Sequence, residues 1–207
     1  FDLLSCFPAS AEPGKGFTSV TYSQVAFREP ESRADQTRLM GIVTTGLETG
    51  YYVDVFRSRK EKGGDKMHDY FYHNLGQTLT LTAADGSDLN LQPTEELAFA
   101  GAHLYAYSYL YDKKVAATNK DVKATFTIDM KDKDGDDIYM NLWMKGELDR
   151  EVFTALAPMT EGLSRTPNMP YNIKEQPTLT FVARQHGEAW NRPFVSIYEP
   201  STKKEPS

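Results

Sequence analysis

Cysteine is nearly absent: Cys6 stands alone among 207 residues. One thiol excludes an internal disulfide, so stability must come from a hydrophobic core. Cys6 also has no histidine nearby, which argues against a nucleophile. Long apolar runs are missing too. No stretch approaches the roughly 18 apolar residues of a membrane span, and no signal-peptide pattern is visible. The formal net charge of −6 excludes the basic surface that generic nucleic-acid binding requires. There is no phosphate-binding glycine loop and no serine-hydrolase elbow. The acidic stretch Asp132-Lys-Asp-Gly-Asp-Asp137 fails as a calcium loop, because its twelfth position is Trp143 instead of Glu. No metal site, no cofactor and no catalytic residue are therefore predicted. No repeat of fixed period and no long amphipathic helix occur. The chain opens at Phe1 rather than Met, which reads as a piece of a longer protein.

Aromatic residues are plentiful at 12% and charged residues make up 25%, the composition of a folded chain. Short runs of β-branched and aromatic residues alternate with glycine, proline and aspartate turn signals. Val122, Ala124, Phe126, Ile128 and Met130 alternate with Lys123, Thr125, Thr127 and Asp129, a half-buried strand. Thr78 to Thr82 and His103 to Tyr111 also read as strands, the latter with Tyr105, Tyr107, Tyr109 and Tyr111 along one face. The densest run, Gly50 to Leu81, reads as a hairpin turning at Gly63 and Gly64. Roughly 11–12 short strands result, predicting an all-β, antiparallel β-sandwich. Residues 1–16 read as an entry segment, 17–200 as the sandwich and 201–207 as a charged tail. A long loop is expected from Pro158 to Pro177.

Candidate binding residues come from strands and loops. His68 and His73 are separated by an odd number of positions, so a regular strand sends them to opposite faces and they do not share a metal. Asp54, amid Tyr, Val and Phe, needs a partner if buried, and Arg57, Arg38 or His68 are available. Trp190 lies in Gln185-His-Gly-Glu-Ala-Trp-Asn-Arg192, which has the composition of a binding loop or of a loop anchor. Arg57, Arg59, Lys60 and Lys62 form a basic cluster at the expected hairpin tip, suited to uronate or sulfate groups or simply solvated. The tyrosine stripe fits sugar stacking or packing against another domain. Trp143, between Leu142 and Met144, reads as packed.

Three segments in order carry a resemblance: Arg38-Leu-Met-Gly-Ile-Val, Gly50-Tyr-Tyr-Val-Asp-Val-Phe-Arg and His68-Asp-Tyr-Phe-Tyr-His. Together with Leu179-Thr-Phe-Val-Ala-Arg184 and Phe194-Val-Ser-Ile-Tyr-Glu-Pro200, they resemble the sheet domain of heparinase II/III-type polysaccharide lyases. The resemblance implies a β-sandwich behind an N-terminal helical toroid domain of the same protein, the two forming a cleft for an acidic polysaccharide cleaved by β-elimination. It further implies a periplasmic or secreted bacterial protein. The family's His-x-His-x-Asp stretch and helical half are absent from the sequence. The expectation is thus an accessory, substrate-cleft domain, inactive alone, with His68, Tyr70, Trp190 and Arg192 as substrate contacts. A stand-alone carbohydrate-binding module and a structural scaffold domain are the alternatives.

Overall fold

A computed structural model describes residues 1–8, 19–98, 102–130, 135–160 and 175–202. Half of the acidic stretch at 132–137, and most of the proline-rich loop and of the charged tail, lies outside the described residues. The described strands are β1 (Asp2–Phe7), β2 (Val20–Arg28), β3 (Asp35–Thr44), β4 (Gly50–Arg59), β5 (Met67–Asn74), β6 (Thr78–Ala83) and β7 (Gln92–Pro93). After a 3-10 helix (Ala102–Tyr109) follow β8 (Tyr111–Ala117), β9 (Val122–Ile128), β10 (Ile138–Met144), β11 (Arg150–Ala157), β12 (Thr178–His186) and β13 (Ala189–Ser201). They form two antiparallel sheets in a sandwich, as the alternating patterns predict. The eight-stranded sheet runs β1-β2-β3-β4-β13-β10-β9-β6 and the five-stranded sheet runs β5-β12-β11-β8-β7.

Apolar residues of the inner faces close the core. Phe126, Leu142, Met144 and Phe194 from the larger sheet meet Tyr70, Val152, Leu179 and Phe181 from the smaller one. Strand β12 is buried along almost its whole length. Leu179 and Phe181 face the main core, while Val182 packs with Leu97, Leu110 and Phe153 on the other side. A strand covered on both faces loses the simple alternation of a half-buried one.

The structure departs from the sequence expectations in several places. Strands β4 and β5 are not a hairpin. Both ladder edges of β4 are taken, by β3 and by β13, and β5 pairs with β12 in the other sheet. The link between them is an arch crossing the sandwich. Gly63 and Gly64 both sit at positive φ, 92° and 75°, a turn that favours residues without Cβ.

The tyrosine-rich segment is the 3-10 helix rather than a strand. Tyr107 explains why: its hydroxyl donates to Asp69 Oδ2 at 2.7 Å, and its ring stands edge-on to Phe71 at 5.2 Å. Tyr105 and Tyr109 point to solvent, so no tyrosine face forms. The expected entry segment contains β1, paired with β2. Finally, the expected binding loop at 185–192 is mostly strand. Only Gly187 and Glu188 separate β12 from β13, with Gly187 at φ 78°.

The larger sheet is wider than the smaller one that covers it. Register places Met40 beside Asp54 and Ile42 beside Tyr52, all on the inner face. Yet Met40, Ile42 and Tyr52 remain 50%, 49% and 42% exposed. This strip of inner face runs past the edge of β5.

Candidate functional site

The edge of β5 and the uncovered inner face of β3 and β4 form a groove. Its middle is built on Asp54, which alternation along β4 turns inward to complete burial. A buried carboxylate must be paired, and of the three candidate partners the structure selects Arg38, on the neighbouring strand β3. Arg38 Nε donates to the two Asp54 oxygens at 3.0 and 3.1 Å. Tyr70, on β5, donates its hydroxyl to Asp54 Oδ2 at 2.6 Å and also meets Ser196 Oγ at 3.2 Å and the Tyr198 hydroxyl. The Arg38 guanidinium lies 5.7 Å from the Tyr70 ring centroid.

The electrostatics of this cluster follow from burial. Hydrogen bonding to Asp54 raises the Arg38 pKa, so the guanidinium stays charged. Burial, then the neighbouring Tyr198 and Asp54, raise the Tyr70 phenol far above its ordinary range. Tyr70 is therefore a proton donor and not a base at neutral pH. Arg38 differs from its partners in keeping 44% of its side chain exposed, so part of an ion-paired guanidinium faces the groove.

At one end the groove opens into a cleft of about 480 Å³, lined by Gln36, Phe56, Ser58, Asp65, Lys66 and His68 among others. His68 Nε2 meets Asp65 Oδ1 at 2.6 Å. Ser58 is fully buried and its hydroxyl has no hydrogen-bond partner, an unmet polar group at the cleft wall. Behind it, Arg184 holds Asp69 with two 2.8 Å bonds and reaches Glu96 at 3.1 Å. That fork anchors the closed edge. Among the described residues no group of three His, Cys, Asp or Glu is arranged to hold a metal ion.

The four residues expected to contact substrate separate into two places. His68 and Tyr70 share the inner face of β5, His68 lining the cleft and Tyr70 buried at 3% exposure beneath Arg38. Trp190 lies on the opposite face of the larger sheet, where Arg59 stacks over its ring at 4.3 Å and Arg57 donates to its carbonyl. Arg192 is tied to the Leu148 carbonyl at 3.3 Å, Asp149 at 3.2 Å and the His186 carbonyl at 3.0 Å. His73 donates to or accepts from Thr180 Oγ1 at 2.8 Å, on the face away from His68, as strand geometry requires. Ser58, Ser196 and Tyr198 gave no sequence signal, because their place in the groove depends on which strands become neighbours.

Comparison with known proteins relates the domain that carries this groove to one enzyme. The chain is 34% identical over 176 residues to the endo-acting ulvan lyase of Formosa agariphila, a match covering 83% of this chain. This is a polysaccharide-lyase-related domain. The match spans only 20% of that lyase, so the domain corresponds to a minor part of the related enzyme. No protein-family model matches the chain. No described helix of the domain is long and apolar enough to cross a membrane.

Proposed function

We propose that this domain forms one wall of the substrate cleft in an exported, periplasmic or extracellular heparinase II/III-like polysaccharide lyase, acting on an acidic, uronate-containing polysaccharide such as ulvan. The observation that carries the reading is the half-exposed Arg38, locked by Asp54 and flanked by tyrosines along an open groove. β-Elimination needs the uronate carboxylate neutralised before a base removes the C5 proton and an acid protonates the leaving oxygen. One edge of the Arg38 guanidinium is taken by Asp54, and its remaining N–H groups, half exposed, are left to donate to a carboxylate. His68, at the adjoining cleft, contacts the neighbouring sugar. Trp190 and Arg192 act on a more distant stretch of the chain, since they lie elsewhere. The base comes from an N-terminal helical toroid domain, which covers the apolar strip at Met40 and Ile42. The domain alone is then a binder without turnover.

The test titrates the chain with uronate-containing polysaccharide while following absorbance near about 235 nm, where the unsaturated elimination product absorbs. Binding without product is expected. Arg38→Gln lowers affinity by about tenfold, roughly the value of one charge-assisted contact. Product formation by the domain alone would overturn the accessory role, and unchanged affinity in Arg38→Gln would remove the groove from it.

A further inference from the structure

A second surface meets the requirements of a sugar site, on the outer face of the larger sheet at its β6 end. Three rows of side chains cross four strands there in register. Thr78, Thr127, Tyr139 and Ser201 form one row. Thr80, Thr125, Asn141 and Glu199 form the next, and Thr82, Lys123, Trp143 and Ile197 the third. Alternation sends Val122, Ala124, Phe126 and Leu142 into the core, which leaves these rows facing out. The turn after β6, with Asp85 and Gly86, walls one side. The result is a trough of about 780 Å³, within the size range of ligand sites. Trp143, expected to be packed, instead lies partly exposed in it, with Lys123 Nζ 4.8 Å from its ring centroid.

Beneath the middle row, and not itself lining the trough, lies a buried amide. Asn141 is completely buried, its Oδ1 accepts from Thr125 at 2.9 Å, and its Nδ2 has no partner. Turning the amide over only exchanges which end is unpartnered. The charges around the trough balance: Lys123 and Lys120 stand against Asp85 and Glu199, and Lys120 already bonds Asp85 at 3.5 Å. Balanced charge, aromatic rings and a ladder of threonine hydroxyls fit sugar hydroxyls and ring faces better than a polyanion.

We propose that this trough is a second saccharide site, which binds hydroxyl-rich pyranose rings by stacking on Trp143 and by hydrogen bonds, independently of their charge. It rests on the reading of the domain as a polysaccharide-handling one, and it is separate from the groove at Arg38. It would hold the polymer at a distance from the cleft.

The test is an NMR titration of the chain with a uronate-containing hexasaccharide and with the same hexasaccharide after carboxyl reduction and desulfation. The indole signal of Trp143, one of two tryptophans in the chain, reports the trough, and the imidazole signals of His68 report the groove. Both saccharides are expected to shift Trp143, with affinity little changed by high salt. Trp143→Ala weakens this binding by about tenfold or more, the order of an aromatic anchor. Thr80→Lys, at an exposed strand position, fills the trough without touching the core and has the same effect, so the test survives if the tryptophan variant misfolds. A Trp143 signal unmoved by either saccharide overturns the proposal, as does a shift produced only by the charged form and abolished by salt. Shifts at His68 with none at Trp143 overturn it while leaving the groove reading intact, and shifts at Trp143 alone do the reverse.

Discussion

Asp54 is the residue on which the candidate site turns. Its carboxylate has no solvent contact and satisfies Arg38 and Tyr70 together. Asp54→Asn keeps the shape but removes the charge, and the expected loss is about 3 kcal/mol of unfolding free energy, measured by urea denaturation. The neighbouring phenols predict an alkaline limit. Burial pushes Tyr72 up to about 12 and Tyr70 higher still, whereas both ionise near about 10 in the unfolded chain. Their folded pKa values are raised, so the stability they contribute is whole below pH about 10 and is lost as the pH climbs through the folded values. Urea midpoints should therefore fall steeply between pH about 10 and 12, and Tyr72→Phe should make that fall shallower. An unchanged slope in the variant would show that Tyr72 ionises freely in the fold.

At the scale of elements, the domain depends on links that change sheets. The β4–β5 arch is one, and the turn from β5 to β6 is another, since these strands also lie in different sheets. Gly76 makes that second crossing at φ 142°, and a Cβ there would stand 2.5 Å from the Thr127 carbonyl oxygen. Backbone cannot move aside as a flexible side chain can. Gly76→Ala is expected to cost roughly 1–3 kcal/mol, seen as a lower melting temperature with the same circular dichroism spectrum.

Over the whole molecule, two apolar populations coexist. Phe181 is completely buried between the sheets, and Phe181→Ala should lose about 3–5 kcal/mol. Met40 lies on the inner face of the same sandwich but half exposed. Met40→Ser should alter stability by only about 0.5 kcal/mol while reducing binding of an apolar dye. A large loss in Met40→Ser would mean that the strip is covered in the chain as it stands.

The alternation of Val122 to Ile128, the threonine–leucine run of β6 and the turn signals between strands determined from sequence that this chain is an all-β sandwich. Period-two patterning is a local property, so it is legible before any strand finds a neighbour. The ordered motifs around Arg38, Tyr51 to Arg57 and His68 likewise pointed to a polysaccharide lyase. Sequence also showed that Asp54 needs a partner, without choosing among Arg38, Arg57 and His68. Tertiary structure made that choice, because strand order decides which side chains lie across a ladder and which lie on the far face. For the same reason it buried Tyr70, sent Trp190 to the other side of the sheet and turned the tyrosine stripe into a 3-10 helix anchored on Asp69. It also brought Trp143 out beside a ladder of threonines. Pairing between strands far apart in the chain is a global outcome of packing, and local pattern carries no record of it.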